Sequence, residues 1–125
     1  MIRHIKLYGT TDSSGNLTVT AGFPVEGLLH AVEWIDGDFA DGVDAVLSID
    51  RDDDAADVTL LTLSDANDDA IYYPLYQACN NLGAALETTG GEEVFIPAFI
   101  NGKLKLVVSN GGDTKSGGCI VYFEA

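Results

Sequence analysis

The sequence predicts an all-β fold: an antiparallel β-sandwich, jelly-roll or Greek-key-like, or else a small barrel, with about eight strands. Apolar and polar residues alternate with the two-residue period of strands in a series of short runs. Gly, Asp and Asn clusters separate these runs at intervals of about 8–15 residues, as in antiparallel sheets. A length of 125 residues with 46% hydrophobic content suits one domain, residues 1–125, around one core.

The strand-like runs number eight or nine and are short. In chain order they are residues 2–8, 17–21, 28–35, 43–49, 58–63, 70–76, 94–100, 103–109 and 119–124. Pro74 favours an edge position for its run, because proline cannot donate to a sheet ladder. Asn101-Gly102 is the strongest hairpin-turn signal in the chain. Residues 77–86 contain Asn and Gly breaks, so we expect at most one short helix there.

The charge of the chain is strongly negative and unevenly distributed. Six Lys and Arg residues oppose 20 Asp and Glu residues, giving a net charge of −14. This balance argues against nucleic-acid partners and anionic membranes, since both require Lys and Arg. Residues 31–70 hold thirteen acids and one base, a local charge of −12. That segment favours cationic partners or counterions. The chain shows neither a signal-peptide pattern nor an apolar run of transmembrane length.

The densest acidic loop is the candidate metal site. Asp50, Asp52, Asp54 and Asp57 offer carboxylates at the close spacing that Ca²⁺ uses. The loop lacks the Gly and terminal Glu of an EF-hand, so a solvated acidic loop is the alternative interpretation. Calcium is the one candidate cofactor. A second acidic group, at residues 65–69, is expected at the opposite end of the intervening strand.

The sequence carries no catalytic signature. It has no Gly-x-Ser-x-Gly elbow, P-loop or dinucleotide-binding glycine motif. His4 and His30 lie on strand-like runs, and nothing near Cys79 or Cys119 indicates a Cys–His dyad. Both cysteines are interpreted as small buried hydrophobic residues. We therefore do not expect an enzyme.

Aromatic and apolar residues near the chain start and between residues 72 and 99 are candidates for a partner interface. Tyrosine and phenylalanine are enriched among interface anchors, although sheet packing is the simpler explanation. Trp34 is expected in the core instead. The interface candidates are Ile2, His4, Tyr72, Tyr73, Tyr76, Phe95 and Phe99.

Several segments resemble small structural proteins encoded in the head-morphogenesis region of tailed bacteriophages. These segments are residues 27–34, 41–48, 59–63 and 104–124, the last with a Leu-Lys-Leu-Val-Val, Gly-Gly, Lys, Gly, apolar-Tyr pattern. The resemblance implies a β-rich protein that decorates or cements a capsid, or sits at a head–tail junction. Such a protein would be made in the host cytoplasm and located on the virion, with the capsid surface as the expected place. It would bind the major capsid protein or another virion protein, as a dimer or trimer.

The rival hypothesis is a carbohydrate- or ligand-binding β-sandwich of the adhesion type, with or without bound calcium. A concave site with aromatic and carboxylate side chains would favour that alternative. A flat apolar patch would favour a structural role, because β-sandwiches host many functions and the fold alone does not distinguish them.

Overall fold

Ten β-strands form the computed structural model, which describes residues 1–51 and 56–125 and has no helix in these ranges. The described residues therefore include no helix able to cross a bilayer. The all-β prediction is confirmed. The strands are β1 (Ile2–Thr10), β2 (Leu17–Thr20), β3 (Val25–Ile35), β4 (Asp44–Asp50), β5 (Val58–Leu63), β6 (Ala70–Tyr72), β7 (Leu75–Gln77), β8 (Phe95–Pro97), β9 (Phe99–Ser109) and β10 (Ser116–Glu124).

The strands make two antiparallel layers, as expected of a sandwich-like fold. The first sheet has the order β1-β10-β3-β6, and the second has the order β2-β9-β4-β5. The two layers are joined where β3 also pairs with the beginning of β9. Among the described strands, the path from β1 to β5 stays open, so the architecture is a sandwich and not a closed barrel.

The hairpin predicted at Asn101-Gly102 is wrong, because β9 runs straight through this dipeptide. Before Lys103 the strand pairs with β3, and from Lys103 onward it pairs with β4. Gly102 has a φ of +139°, and a Cβ there would lie 2.7 Å from Ile49 Cγ2. Glycine at this position thus allows β9 to lie close to β4 at the point where β9 passes from one sheet to the other.

The core fills the space between the inward faces of the two sheets. Trp34 from β3 is 1% exposed, stacks on Phe39 at a centroid distance of 5.7 Å, and donates its indole N–H to the Ala66 carbonyl at 2.9 Å. The core position expected for Trp34 is confirmed. Cys119 is buried, which raises the pKa of its thiol to about 12. Cys79 is exposed, so the buried position expected for this cysteine is wrong.

Residues 73–97 form an arm of short strands and turns. β7 pairs with β8, and isolated bridges join Cys79 to Ala85 and Glu87 to Glu93. The Asn80 side chain accepts hydrogen bonds from the Leu82 and Ala84 amides, at 2.9 and 3.1 Å. This side-chain turn competes with helix formation, which explains why residues 77–86 contain no helix. Most of the arm is exposed to solvent.

Candidate interaction surfaces

The outer face of the first sheet brings together side chains from five strands. Directly paired residues point to the same side, so the strand register defines its rows. Ile2, Glu124, Leu28 and Phe99 make one row across β1, β10, β3 and β9. A parallel row joins Lys6, Ile120, Glu33 and Ile71, and His4 lies opposite Tyr122 between the two rows. We call Ile2, His4, Leu28, Ile71, Phe99 and Tyr122 the apolar face.

The apolar face is open to solvent and is anchored by specific contacts. Phe99 is 58% exposed and Ile71 is 53% exposed. The His4 and Tyr122 rings lie 6.0 Å apart, and the Tyr122 hydroxyl contacts Glu33 Oε2 at 3.5 Å. The Phe99 amide donates to the Tyr76 hydroxyl at 3.2 Å, which connects the face to the base of the arm. The face and the arm are therefore contiguous.

The predicted interface residues fall into three positions. Ile2, His4 and Phe99 belong to the apolar face, and Tyr73, Tyr76 and Phe95 are exposed on the arm. Tyr72 is half-buried and packs against the core from β6, opposite Val32. Its phenol ring is thus part of the sandwich. This is the sheet-packing role that sequence reasoning had set against an interface role.

Sequence reasoning missed Leu28, Ile71 and the arm-tip residue Leu82, which is 88% exposed. Leu28 and Ile71 each stand in an apolar run that looks like buried strand. Their outward orientation follows from alternation within the strand, but their convergence with Phe99 depends on long-range strand pairing. The only local signal for Leu82 was its position between Asn81 and Gly83, where a turn is expected.

One end of the sandwich gathers carboxylates that serve as hydrogen-bond acceptors for loop amides. Asp69 accepts from the Asp36 amide at 2.8 Å, Asp44 accepts from the Asp65 amide at 3.0 Å, and Asp38 accepts from Ser116 N–H. These three carboxylates therefore fix the conformation of the loops they bond. We call the cluster of Asp36, Asp38, Asp44 and Asp69 the acidic end.

Asp36 is the most perturbed carboxylate of the acidic end. Burial raises its pKa, and repulsion from Asp69, Asp41, Asp68 and Asp38 raises it further. Its Oδ1 atom is buried and has no hydrogen-bond partner among the described residues. Ionised Asp36 therefore opposes folding at neutral pH.

Asp36→Asn is expected to raise the melting temperature at pH 7. The pKa of Asp36 is higher in the folded state than in the unfolded state, so the ionised wild-type side chain costs stability above the folded pKa. That cost is lost as the pH falls through the folded pKa, and the advantage of the Asp36→Asn variant should disappear with it. Thermal unfolding at pH 7 and pH 3 measures this, with Glu87→Gln as an equal change of charge on the arm. If the melting temperature of Asp36→Asn exceeded that of wild type by more at pH 3 than at pH 7, the raised pKa of Asp36 in the folded state would be contradicted.

The proposed calcium ligands lie partly outside the described residues, which exclude Asp52 and Asp54. Asp57 contacts Lys105 Nζ at 2.5 Å and accepts from the Arg51 amide at 3.4 Å. The hydrogen bond from Lys105 lowers the pKa of Asp57. Asp50 lies opposite Lys103 in the β4–β9 pair. Residues 1–51 and 56–125 hold no group of three or more metal-ligating side chains, and calcium binding at this loop stays a prediction.

A concave region of about 430 Å³ lies beside β1 and the segment that precedes β3. Arg3, His4, Phe23, Glu26 and Phe123 contribute to its lining. Phe123 is buried, whereas Phe23 is exposed. Phe23 and Glu26 are an aromatic and a carboxylate side chain in a concave site, the combination that the ligand-binding alternative requires, and ligand binding stays a prediction.

Comparison with known proteins adds no assignment. No family model matches the chain, and neither a curated protein nor a solved structure is significantly similar to it. The function of the chain is therefore inferred from its surfaces.

Proposed function

We propose that this chain is a structural protein of a bacteriophage virion that decorates or cements the capsid. It binds the capsid lattice non-covalently and stabilises the particle. The observation that supports this function best is the apolar face, where Leu28, Ile71 and Phe99 are about half-exposed on neighbouring strands. The sequence resemblance to head-region phage proteins points to the same role.

The apolar face has the properties of a protein-binding patch. Contiguous exposed apolar surface on a soluble chain marks interaction sites, whereas scattered apolar residues do not. The face lies on rigid strands, so docking costs little conformational entropy. If neighbouring copies also contact each other, a weak contact of this kind becomes tight on a lattice, because linked copies bind several equivalent sites at once.

The distribution of charge is consistent with a surface-bound orientation. Asp44 of the acidic end and Asp50 lie at opposite ends of β4, which belongs to the second sheet. Glu33 and Glu124 lie on the outer face of the first sheet instead. If that face contacts the capsid, the carboxylates of β4 remain in water. There they keep decorated particles apart by electrostatic repulsion.

Co-sedimentation with capsids tests this function. The capsids are assembled from the major capsid protein encoded in the same genome and lack this chain. We expect saturable binding at a fixed ratio to capsid subunits. Phe99→Asp should weaken it about tenfold or more, because central aromatic anchors dominate such interfaces. Thr62→Asp adds the same charge to exposed β5 of the second sheet and should bind normally.

Point substitution is preferable to removal of β1, because Leu7 on that strand is 1% exposed and belongs to the core. The proposal fails if wild-type protein does not sediment with capsids. It also fails if Phe99→Asp and Thr62→Asp bind as well as wild type while both remain folded by circular dichroism.

A further inference from the structure

The chain exposes more surface than a protein of this size normally shows. A folded protein of 13.2 kDa exposes about 6,400 Å². This chain exposes 7172 Å², an excess of about 750 Å². A standard protein–protein interface buries about 800 Å² on each partner. The arm contributes exposed apolar side chains to this surface, among them Leu75, Leu82 and Phe95.

The arm and β1 carry opposite charges. Residues 71–102 contain Glu87, Glu92 and Glu93 and no Lys or Arg. β1 carries Arg3 and Lys6 and no acidic residue, within a chain that has only six Lys and Arg in total. Lys6 Nζ lies 4.6 Å from the Tyr8 ring centroid on the outer surface. The arm thus complements β1 in charge, and both offer apolar side chains beside those charges.

β1 also offers unpaired backbone groups. It is the outermost strand of the first sheet, and β10 is the one described strand that pairs with it. Thr11 N–H bonds to Lys115 and Ala125 N–H bonds to Met1, so the odd-numbered residues face β10. In an antiparallel pair the alternate residues point their N–H and C=O groups away. The backbone of Ile2, His4, Lys6 and Tyr8 is therefore directed at the open edge, a template for another extended segment.

We propose that the arm of one copy packs along the β1 edge of a second copy of this chain. Pairings between two like surfaces are electrostatically unfavourable. Two β1 edges would bring Arg3 and Lys6 close to their own kind, and two arms would bring Glu87, Glu92 and Glu93 together. A contact between two different surfaces of the same chain repeats head to tail, and it closes into a ring if the rotation permits.

This self-association extends the proposed function and does not depend on it. The apolar face around Phe99 would contact the lattice, and the arms would connect neighbouring copies sideways. A ring of three copies would match the trimer, one of the two oligomers that the sequence resemblance implies. The contact between copies forms without capsids, so it is measured on the purified chain alone.

Cross-linking between two differently tagged chains tests the contact directly. One chain keeps Cys79 on the arm. The other, enlarged by a tag, carries Cys79→Ser and His4→Cys on β1. A short bis-maleimide should join them into a species with the summed mass on a denaturing gel. Cys119 is buried, so it should not react. The matched control replaces His4→Cys with Thr62→Cys on β5 and should give no product of that mass.

Light scattering supplies the second readout. We expect a mass that is a multiple of 13.2 kDa at micromolar concentration. We expect Leu82→Asp and Lys6→Glu each to lower the association constant tenfold or more. The population then shifts to monomer. Adding Glu92→Lys to Lys6→Glu should restore association in part. A monomer at all concentrations overturns the proposal, as does equal cross-linking to Thr62→Cys. Capsid binding that fails while self-association persists would reject the proposed function alone.

Discussion

Gly118→Ala is expected to destabilise the fold by at least about 3 kcal/mol. Gly118 lies in β10 between β1 and β3, and its φ is +159°. A Cβ at this position would lie 2.0 Å from the Leu7 carbonyl oxygen and 2.7 Å from Tyr8 Cα. Both contacts are with backbone, so relief requires the β1–β10 pairing to separate.

Urea unfolding followed by tryptophan fluorescence measures this effect through Trp34, the single tryptophan of the chain. Gly22→Ala is the matched control, because a Cβ there meets no atom within 4 Å. We expect Gly22→Ala to unfold within about 0.5 kcal/mol of wild type. A Gly118→Ala variant as stable as Gly22→Ala would show that β1 does not pair with β10 in the described register.

Trp34→Ala is expected to cost about 3–5 kcal/mol in the free energy of unfolding. The indole is almost fully buried, stacks on Phe39, and lies beside Leu47, Leu106 and Cys119 at the centre of the sandwich. Its removal leaves a cavity between the two sheets. Because strand pairing limits how far the backbone can move, the surrounding residues fill this cavity poorly. The Ala66 carbonyl also loses its donor.

Trp34→Phe distinguishes the contribution of ring packing to stability from that of the indole hydrogen bond. It retains most of the packing but leaves the Ala66 carbonyl without the indole N–H, at a cost of about 1–3 kcal/mol. Tyr73→Ala, at an exposed position of the arm, should change stability by less than about 0.5 kcal/mol. Circular dichroism during urea unfolding reports all three variants. A Trp34→Ala cost below about 1 kcal/mol would contradict the core assignment.

The fold class was predictable because alternation and turn chemistry are local properties. Alternation along residues 43–49 placed Ala45, Leu47 and Ile49 on one side of a strand, and all three are buried in the core. Trp34 was recognised as core for the same reason. The Gly, Asp and Asn clusters between strand-like runs also coincide with turns, as at Gly15 and Gly42, where φ is +83° and +90°.

Several features depend on tertiary context and could not be predicted from local pattern. Asn101-Gly102 has the composition of a hairpin turn, but β9 continues because β3 and β4 pair with it in succession. The acidic segment was expected to attract cationic partners or counterions, but local pattern did not show that Asp38, Asp44 and Asp69 accept hydrogen bonds from amides distant in sequence. The apolar face was found only in part, since cross-strand register decides which exposed residues become neighbours.

A cryo-EM reconstruction of capsids incubated with the purified chain tests the central claim most directly. We expect one sandwich-shaped density at each equivalent lattice position, with the apolar face around Leu28, Ile71 and Phe99 against the capsid. The acidic end should remain in solvent. Capsids without added density, or density in which the second sheet contacts the capsid and the apolar face points outward, would contradict the account.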